Sequence, residues 1–155
     1  MIKIMFVCHG NICRSPMAEF IFKDIAAKAG AADRFFVTSS ATSTEEIRNG
    51  VGNPIYPPAQ KVMREHSIPF DNSKRAVQIT PADYAKYDYI IAMDANNIKN
   101  ISRIVGKDRY GKIFKLMDFT QKGGNVSDPW YTRDFETAFN NIKYGCECLF
   151  KRLNN

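Results

Sequence analysis

The chain has 155 residues, enough for one domain with a substantial core, and its 45% hydrophobic and 25% charged content is ordinary for a globular protein. No stretch has the length and apolarity needed to span a bilayer, and the start Met1-Ile2-Lys3-Ile4 lacks the apolar segment of a secretory signal, so no membrane contact and a cytoplasmic location are expected. The net charge of +6, from 22 basic and 16 acidic residues, attracts anions, but the basic residues are scattered and no nucleic-acid-binding motif appears, so nucleic acid is not an expected partner.

The first apolar run predicts a strand over about Lys3–Val7, followed by the loop Cys8-His9-Gly10-Asn11-Ile12-Cys13. Ser15-Pro16 reads as an N-cap followed by the first helical position, with Met17, Phe20, Ile21 and Ile25 at helical spacing and Gly30 closing the helix. A second strand is expected at Phe35–Ser39, then a long segment Ser40–Pro58, too polar for a mere connector, then a helix over about Ala59–His66. Thr80-Pro81-Ala82-Asp83 opens a short helix. The near-continuous apolar run Tyr89–Met93 suits a buried parallel strand, with Asp94 capping the helix that carries Ile98, Ile101 and Ile104. Lys112–Met117 gives a fourth strand, Thr120–Asp128 a loop, and the final helix lines up Phe135, Ala138, Phe139, Ile142, Cys146, Leu149 and Leu153. These elements predict a single α/β domain over residues 1–155: a doubly wound four-stranded parallel sheet with helices on both faces and an anion-binding loop after strand 1.

The chemistry concentrates in residues 8–16. A loop that joins a strand to a helix directs backbone N–H groups at whatever it encloses, so His9, Gly10, Asn11, Ile12, Cys13, Arg14 and Ser15 form a candidate phosphate cradle. Arg14 adds a planar cationic fork matched to phosphate oxygens, and the same positive field favours the thiolate of Cys8 at the cradle's floor. A cysteine ending a buried strand is otherwise ordinary packing. The four cysteines (8, 13, 146 and 148) lack the spacing of a zinc site, only two histidines exist, and no metal or other cofactor is implied.

The segment VCHGNICRSPMAE resembles the active-site loop of the low-molecular-weight protein tyrosine phosphatases, and the resemblance extends through SSATS (39–43), GNP (52–54), DYIIAMD (88–94), DPWY (128–131) and DFETAF (134–139). It implies a phosphatase that hydrolyses phosphotyrosine and aryl phosphate monoesters through a cysteinyl-phosphate. Cys8 would be the nucleophile, Arg14 the phosphate ligand and Asp128 the general acid and base. Asp128 before a proline is also a common turn residue. The implied partners are tyrosine-phosphorylated proteins, with inorganic phosphate or other oxyanions in the site, and a monomer is expected. Trp130 and Tyr131 would wall the pocket, ordinary packing being the alternative. Asn11, Ser15, Ser39 and His66 resemble the family's polar network that shapes the loop. On its own, His66 reads as an exposed histidine at a helix end, and Asp94 as a cap rather than a catalyst. The resemblance also makes Cys8 and Cys13 a redox pair; a simple buried cysteine is the other reading of Cys13.

Two departures stand out. Glu45 falls at a pocket-rim position where the family often has an aromatic residue, which predicts a bias against acidic phosphopeptides, and Arg48–Val51 is extra length compared with shorter members. An arsenate reductase would share the cysteine–arginine loop but needs further cysteines to relay a disulfide, and no mid-chain pair exists. A non-catalytic phosphotyrosine-binding module would need neither Cys8 nor Asp128.

Overall fold

The computed structural model describes residues 1–155. Strand β1 spans Ile2–Cys8 and β2 spans Phe35–Ala41; β3 (Ile47–Arg48) and β4 (Val51–Gly52) form a small hairpin; β5 is Tyr89–Ala92 and β6 Ile113–Lys115. Helices are α1 (Arg14–Lys28), α2 (Pro57–Glu65), α3 (Asp83–Lys86), α4 (Ala95–Val105), α5 (Pro129–Thr132) and α6 (Phe135–Leu153). The main sheet has the order β2-β1-β5-β6, all parallel, with Cys8 beside Ala41 and Val7 beside Ala92 at its carboxyl edge.

Alternation along the central strands builds two cores. Ile4, Phe6 and Ile91 face a large cluster with Met17, Ile21 and Phe22 of α1 and Phe139, Ile142, Cys146 and Leu149 of α6. Met5, Val7, Ile90 and Ala92 face the opposite way, onto Ile101 of α4. Helices therefore cover both faces, as the sequence pattern predicts. Phe22 has no exposed surface and meets Phe6, Phe35 and Phe150 with ring centroids 6.0, 5.2 and 5.9 Å away.

The chain leaves β1 toward β2 on one side, while β5 connects onward to β6 on the other. The strand order thus reverses between β1 and β5, and the segments after both strands splay apart there, leaving a crevice. The loop after Cys8 and the cap at Asp94 are its two lips.

Three expectations are corrected. Ser15 is not the N-cap of α1: the helix starts at Arg14 with Cys13 in the cap position, and Met17 N–H already donates to Cys13 O at 3.2 Å. Pro16 is tolerated because first-turn N–H groups have no intrahelical acceptor. The fourth strand is shorter than expected; its chain passes into a 3-10 turn at Leu116–Phe119, where Asp118 accepts from Lys115 N–H. The long segment after Ser40 is not all irregular. Asn49 and Gly50 take φ of 52° and 76°, the left-handed pair of a two-residue hairpin turn, so the extra length becomes the β3–β4 hairpin. Gly52 is needed there because a Cβ would sit 2.0 Å from Ala76 O.

Candidate active site

The loop is shaped by one left-handed residue. Asn11 has φ 58°, a conformation asparagine tolerates better than most residues, and its N–H turns inward to donate to Cys8 Sγ at 3.3 Å. Ser15, freed from capping, places its Oγ 3.0 Å from Cys8 Sγ. The N–H groups of Gly10, Ile12, Cys13, Arg14 and Ser15 find no acceptor within the chain. Together with the amino end of α1 they form a concave set of donors around the thiol.

Arg14 is only 3% exposed. Its Nη1 donates to Asp94 Oδ2 at 2.8 Å and to Val126 O at 3.1 Å, and its Nη2 lies 3.4 Å from Asp128 Oδ2. Nη1 therefore anchors the guanidinium, leaving Nε and the second Nη2 proton for a ligand. Asp94 does two jobs: Oδ1 accepts from Asn97 N–H at 2.8 Å as the cap of α4, and Oδ2 holds Arg14. The sequence pattern discloses only the cap.

Asp128 ends the loop after the 3-10 turn and caps the four-residue α5, accepting from Trp130 N–H at 3.0 Å through Oδ1. The approach is braced by Val126 N–H on Met93 O at 2.9 Å and Ser127 N–H on Asn141 Oδ1 at 3.0 Å. Asp128 is thus both a turn residue and a member of the site.

A cavity of about 360 Å³ opens over these groups, with Cys8, Arg14 and Asp128 among its lining. Glu45 and Glu46 line one side, Asn96 and Asn100 of α4 another, and Trp130 and Tyr131 a third. Trp130 is 51% exposed and packs on Tyr56 with centroids 5.5 Å apart; Tyr131 is 81% exposed. Glu45 reaches His9 at 3.0 Å across the rim.

Asn11 Nδ2 donates to Ser15 Oγ at 2.8 Å and to Ser39 Oγ at 3.0 Å, so Asn11, Ser15 and Ser39 form the expected network. His66 does not belong to it. It follows the end of α2, stacks on Phe139 at 4.1 Å and pairs with Glu136 at 2.7 Å, because α6 rather than the loop packs beside that helix end. The network continues instead through Glu19, which accepts from Ser39 Oγ at 2.6 Å, and Lys74, which donates to Ser39 O at 3.0 Å. Neither residue is singled out by sequence pattern. A glutamate on α1 looks like a solvated helix position, yet Glu19 is 5% exposed.

Cys13 is a free, buried thiol. Burial pushes its pKa far up, the Cys8 and Asp128 charges push the same way, and Arg14 opposes them more weakly. Cys146 is wholly buried, with Sγ 3.7 Å from Ala18 O, and Cys148 is half-buried. No group of three or more His, Cys, Asp or Glu side chains is placed to hold a metal ion.

A thiol floor inside an N–H-lined loop at the carboxyl edge of a parallel sheet defines a class of protein that sets a cysteine nucleophile against a bound oxyanion. Comparison with known proteins narrows the class. The model of the family "Low molecular weight phosphotyrosine protein phosphatase" matches residues 3–155, and the chain belongs to that family. It is 41% identical to the low molecular weight protein-tyrosine-phosphatase YfkJ of Bacillus subtilis, over 99% of this chain and 96% of that protein. The crystal structure of YfkJ superposes with a TM-score of 0.92 at 39% identity, covering 99% of this chain and 95% of the other. The low molecular weight protein tyrosine phosphatase SP-PTP of Streptococcus pyogenes follows with a TM-score of 0.86 at 40% identity, covering 99% and 93%. No helix is long and apolar enough to cross a membrane.

Proposed function

We propose that this chain hydrolyses phosphotyrosine and other aryl phosphate monoesters in two covalent steps, with Cys8 as nucleophile and Asp128 as acid and base. The observation that carries the reading is the convergence at one cavity of the Cys8 thiol, the unpaired loop N–H groups, and Arg14 with Asp128 beside it. The phosphate oxygens take the loop N–H groups and the free edge of Arg14, which places phosphorus over Cys8 Sγ. The S–P bond forms as the P–O bond to the aryl group breaks, and Asp128 gives its proton to the departing oxygen. Water then attacks phosphorus, Asp128 takes its proton, and Cys8 leaves as a thiolate that receives a hydrogen bond from Ser15.

The unliganded geometry supports this assignment of Asp128. Its carboxylate rests near the Arg14 cation. It also lines the same cavity as Cys8, where the leaving oxygen departs.

Trp130 and Tyr131 offer flat walls to an aryl ring. Glu45 and Glu46 give the rim a charge that disfavours acidic flanks around the phosphotyrosine. Tyrosine-phosphorylated proteins are the substrates on this reading. The four free thiols suit a reducing cytoplasm, and all the catalytic groups come from one chain, as a monomer requires. Assay of para-nitrophenyl phosphate and phosphotyrosine peptides tests the reading. Cys8→Ser is expected to bind the ester and not turn it over; undiminished turnover in Cys8→Ser overturns the mechanism.

A further inference from the structure

We infer that Asn96 and Asn100 are specificity-determining residues: they form a wall of the catalytic cavity that holds the main chain of an extended substrate beside its phosphotyrosine. Both lie on α4, four residues apart, and both line the cavity over Cys8. Residues at that spacing stand on one helix face. A third amide of the same wall, Asn97, shows the contrast. Its Oδ1 accepts from Met93 N–H at 3.1 Å and Asp94 N–H at 3.2 Å, so it completes the cap of α4, and it is 2% exposed. Asn96 is exposed, and its side chain makes no hydrogen bond within the chain. Asn100 is half-buried; its Oδ1 accepts from Arg103 Nη1 at 3.3 Å, and both Nδ2 protons are left free. The fold uses Asn97 and leaves the other two amides open.

The wall therefore offers an acceptor and donors at Asn96, donors at Asn100, and no charge. The other sides of the cavity differ, with carboxylates at Glu45 and Glu46 and aromatic rings at Trp130 and Tyr131. Carboxylates serve a cationic side chain and the rings serve the tyrosyl group. Neutral amides match what every peptide carries whatever its side chains, a C=O acceptor and an N–H donor. The spacing fits as well. Side chains at i and i+4 of a helix have Cβ atoms about 5–6 Å apart. In an extended chain rising about 3.3 Å per residue, the C=O groups on one edge recur every second residue, about 6.6 Å apart. The reach of two asparagine side chains spans the difference. Asn96 thus pairs with the N–H and C=O of one substrate residue, and Asn100 donates to the C=O two residues along.

The inference rests on the proposed phosphatase activity and adds to it the form of the substrate, an extended peptide segment. A para-nitrophenyl ester has no peptide unit, so it reports the chemistry without this wall. Contacts to the flanking main chain are made alike before and during phosphoryl transfer, so losing them raises KM and leaves kcat little changed. Alanine is a better helix former than asparagine, so replacing Asn96 or Asn100 by alanine keeps α4 intact.

The experiment compares kcat/KM for a phosphotyrosine peptide with kcat/KM for para-nitrophenyl phosphate in wild type, Asn96→Ala, Asn100→Ala and the double variant. Each single substitution is expected to lower the peptide-to-ester ratio about three- to tenfold through the peptide's KM, the effect of one neutral hydrogen bond. The two contacts fall on different substrate residues, so the double variant is expected to lose roughly the product of the two factors. A second arm uses peptides N-methylated at one residue in turn on either side of the phosphotyrosine. Methylation at the residue that faces Asn96 is expected to cost wild type about threefold more than it costs Asn96→Ala. An unchanged ratio in the double variant, or equal N-methyl losses in wild type and Asn96→Ala at every position, overturns the inference and leaves the phosphatase reading standing. Wild type inactive on para-nitrophenyl phosphate overturns both together.

Discussion

Asp94 offers the sharpest separation of folding from catalysis, because its two oxygens serve different partners. Oδ1 caps α4 on Asn97 N–H at 2.8 Å, and Oδ2 anchors Arg14 at 2.8 Å. Asparagine caps a helix about as well as aspartate, whereas alanine costs about 1 kcal/mol. Neither replacement supplies the charged partner that holds the nearly buried guanidinium, a hydrogen bond to a charged group being worth about 1.5–3 kcal/mol. Asp94→Asn and Asp94→Ala are therefore both expected to lose about 10- to 100-fold in kcat/KM on an aryl phosphate. The Ala variant alone additionally melts about 2–4 °C below the Asn variant, from the lost cap. The assays are steady-state kinetics and thermal melts in the same phosphate-free buffer. Wild-type kcat/KM in Asp94→Asn would refute the anchoring role, since Arg14 would then be held in place without the carboxylate. Equal melting of the two variants would refute the capping role.

Asp128→Asn is expected to lower kcat on phosphotyrosine by roughly 10²–10⁴-fold while leaving-group dependence steepens, because only good leaving groups depart without a proton. A burst rate with wild-type leaving-group dependence would assign the acid elsewhere. Peroxide is expected to oxidise the Cys8 thiolate to a sulfenic acid, which the Cys13 thiol then attacks, forming the S–S bond and releasing water. Burial keeps Cys13 protonated, so this closure should quicken as pH rises; mass spectrometry showing no Cys8–Cys13 linkage, or a closure rate independent of pH, counts against it. Glu45→Lys is expected to raise kcat/KM for phosphotyrosine peptides with acidic flanks relative to basic ones, and an unchanged ratio would show that the rim does not read the substrate's charge.

Much of this was legible in the sequence because it depends on local pattern. Strand β1, the loop, the buried strand β5 with the Asp94 cap, and the apolar face of α6 each follow from periodicity or capping chemistry within a few residues. The hairpin carries a signal too, Asn49-Gly50, but Thr44, Glu45, Glu46 and Arg48 around it lack the apolar alternation that usually marks strands. Ser15-Pro16 misled because the pair fits a cap in isolation, while the loop needs Arg14 already helical to turn its N–H into the cradle. The long-range partners were out of reach. Glu19 meets Ser39 and Lys74 from distant segments, Arg14 meets Asp94 and Asp128 across the crevice, and His66 is claimed by Glu136 and Phe139 of α6. Such contacts are set by how helices dock on the sheet, which spacing along one element does not encode.

The central claim is that the phosphoryl group passes through Cys8. The direct test is rapid acid quench of the wild-type protein with a phosphotyrosine peptide, followed by mass spectrometry of the peptide that carries residues 8–14. The account predicts one phosphoryl group on Cys8, formed within a turnover; with para-nitrophenyl phosphate, whose leaving group departs without a proton, it accumulates further when Asp128→Ala slows the attack of water. Phosphoryl on another residue, or none on Cys8 while product forms at the wild-type rate, would contradict it.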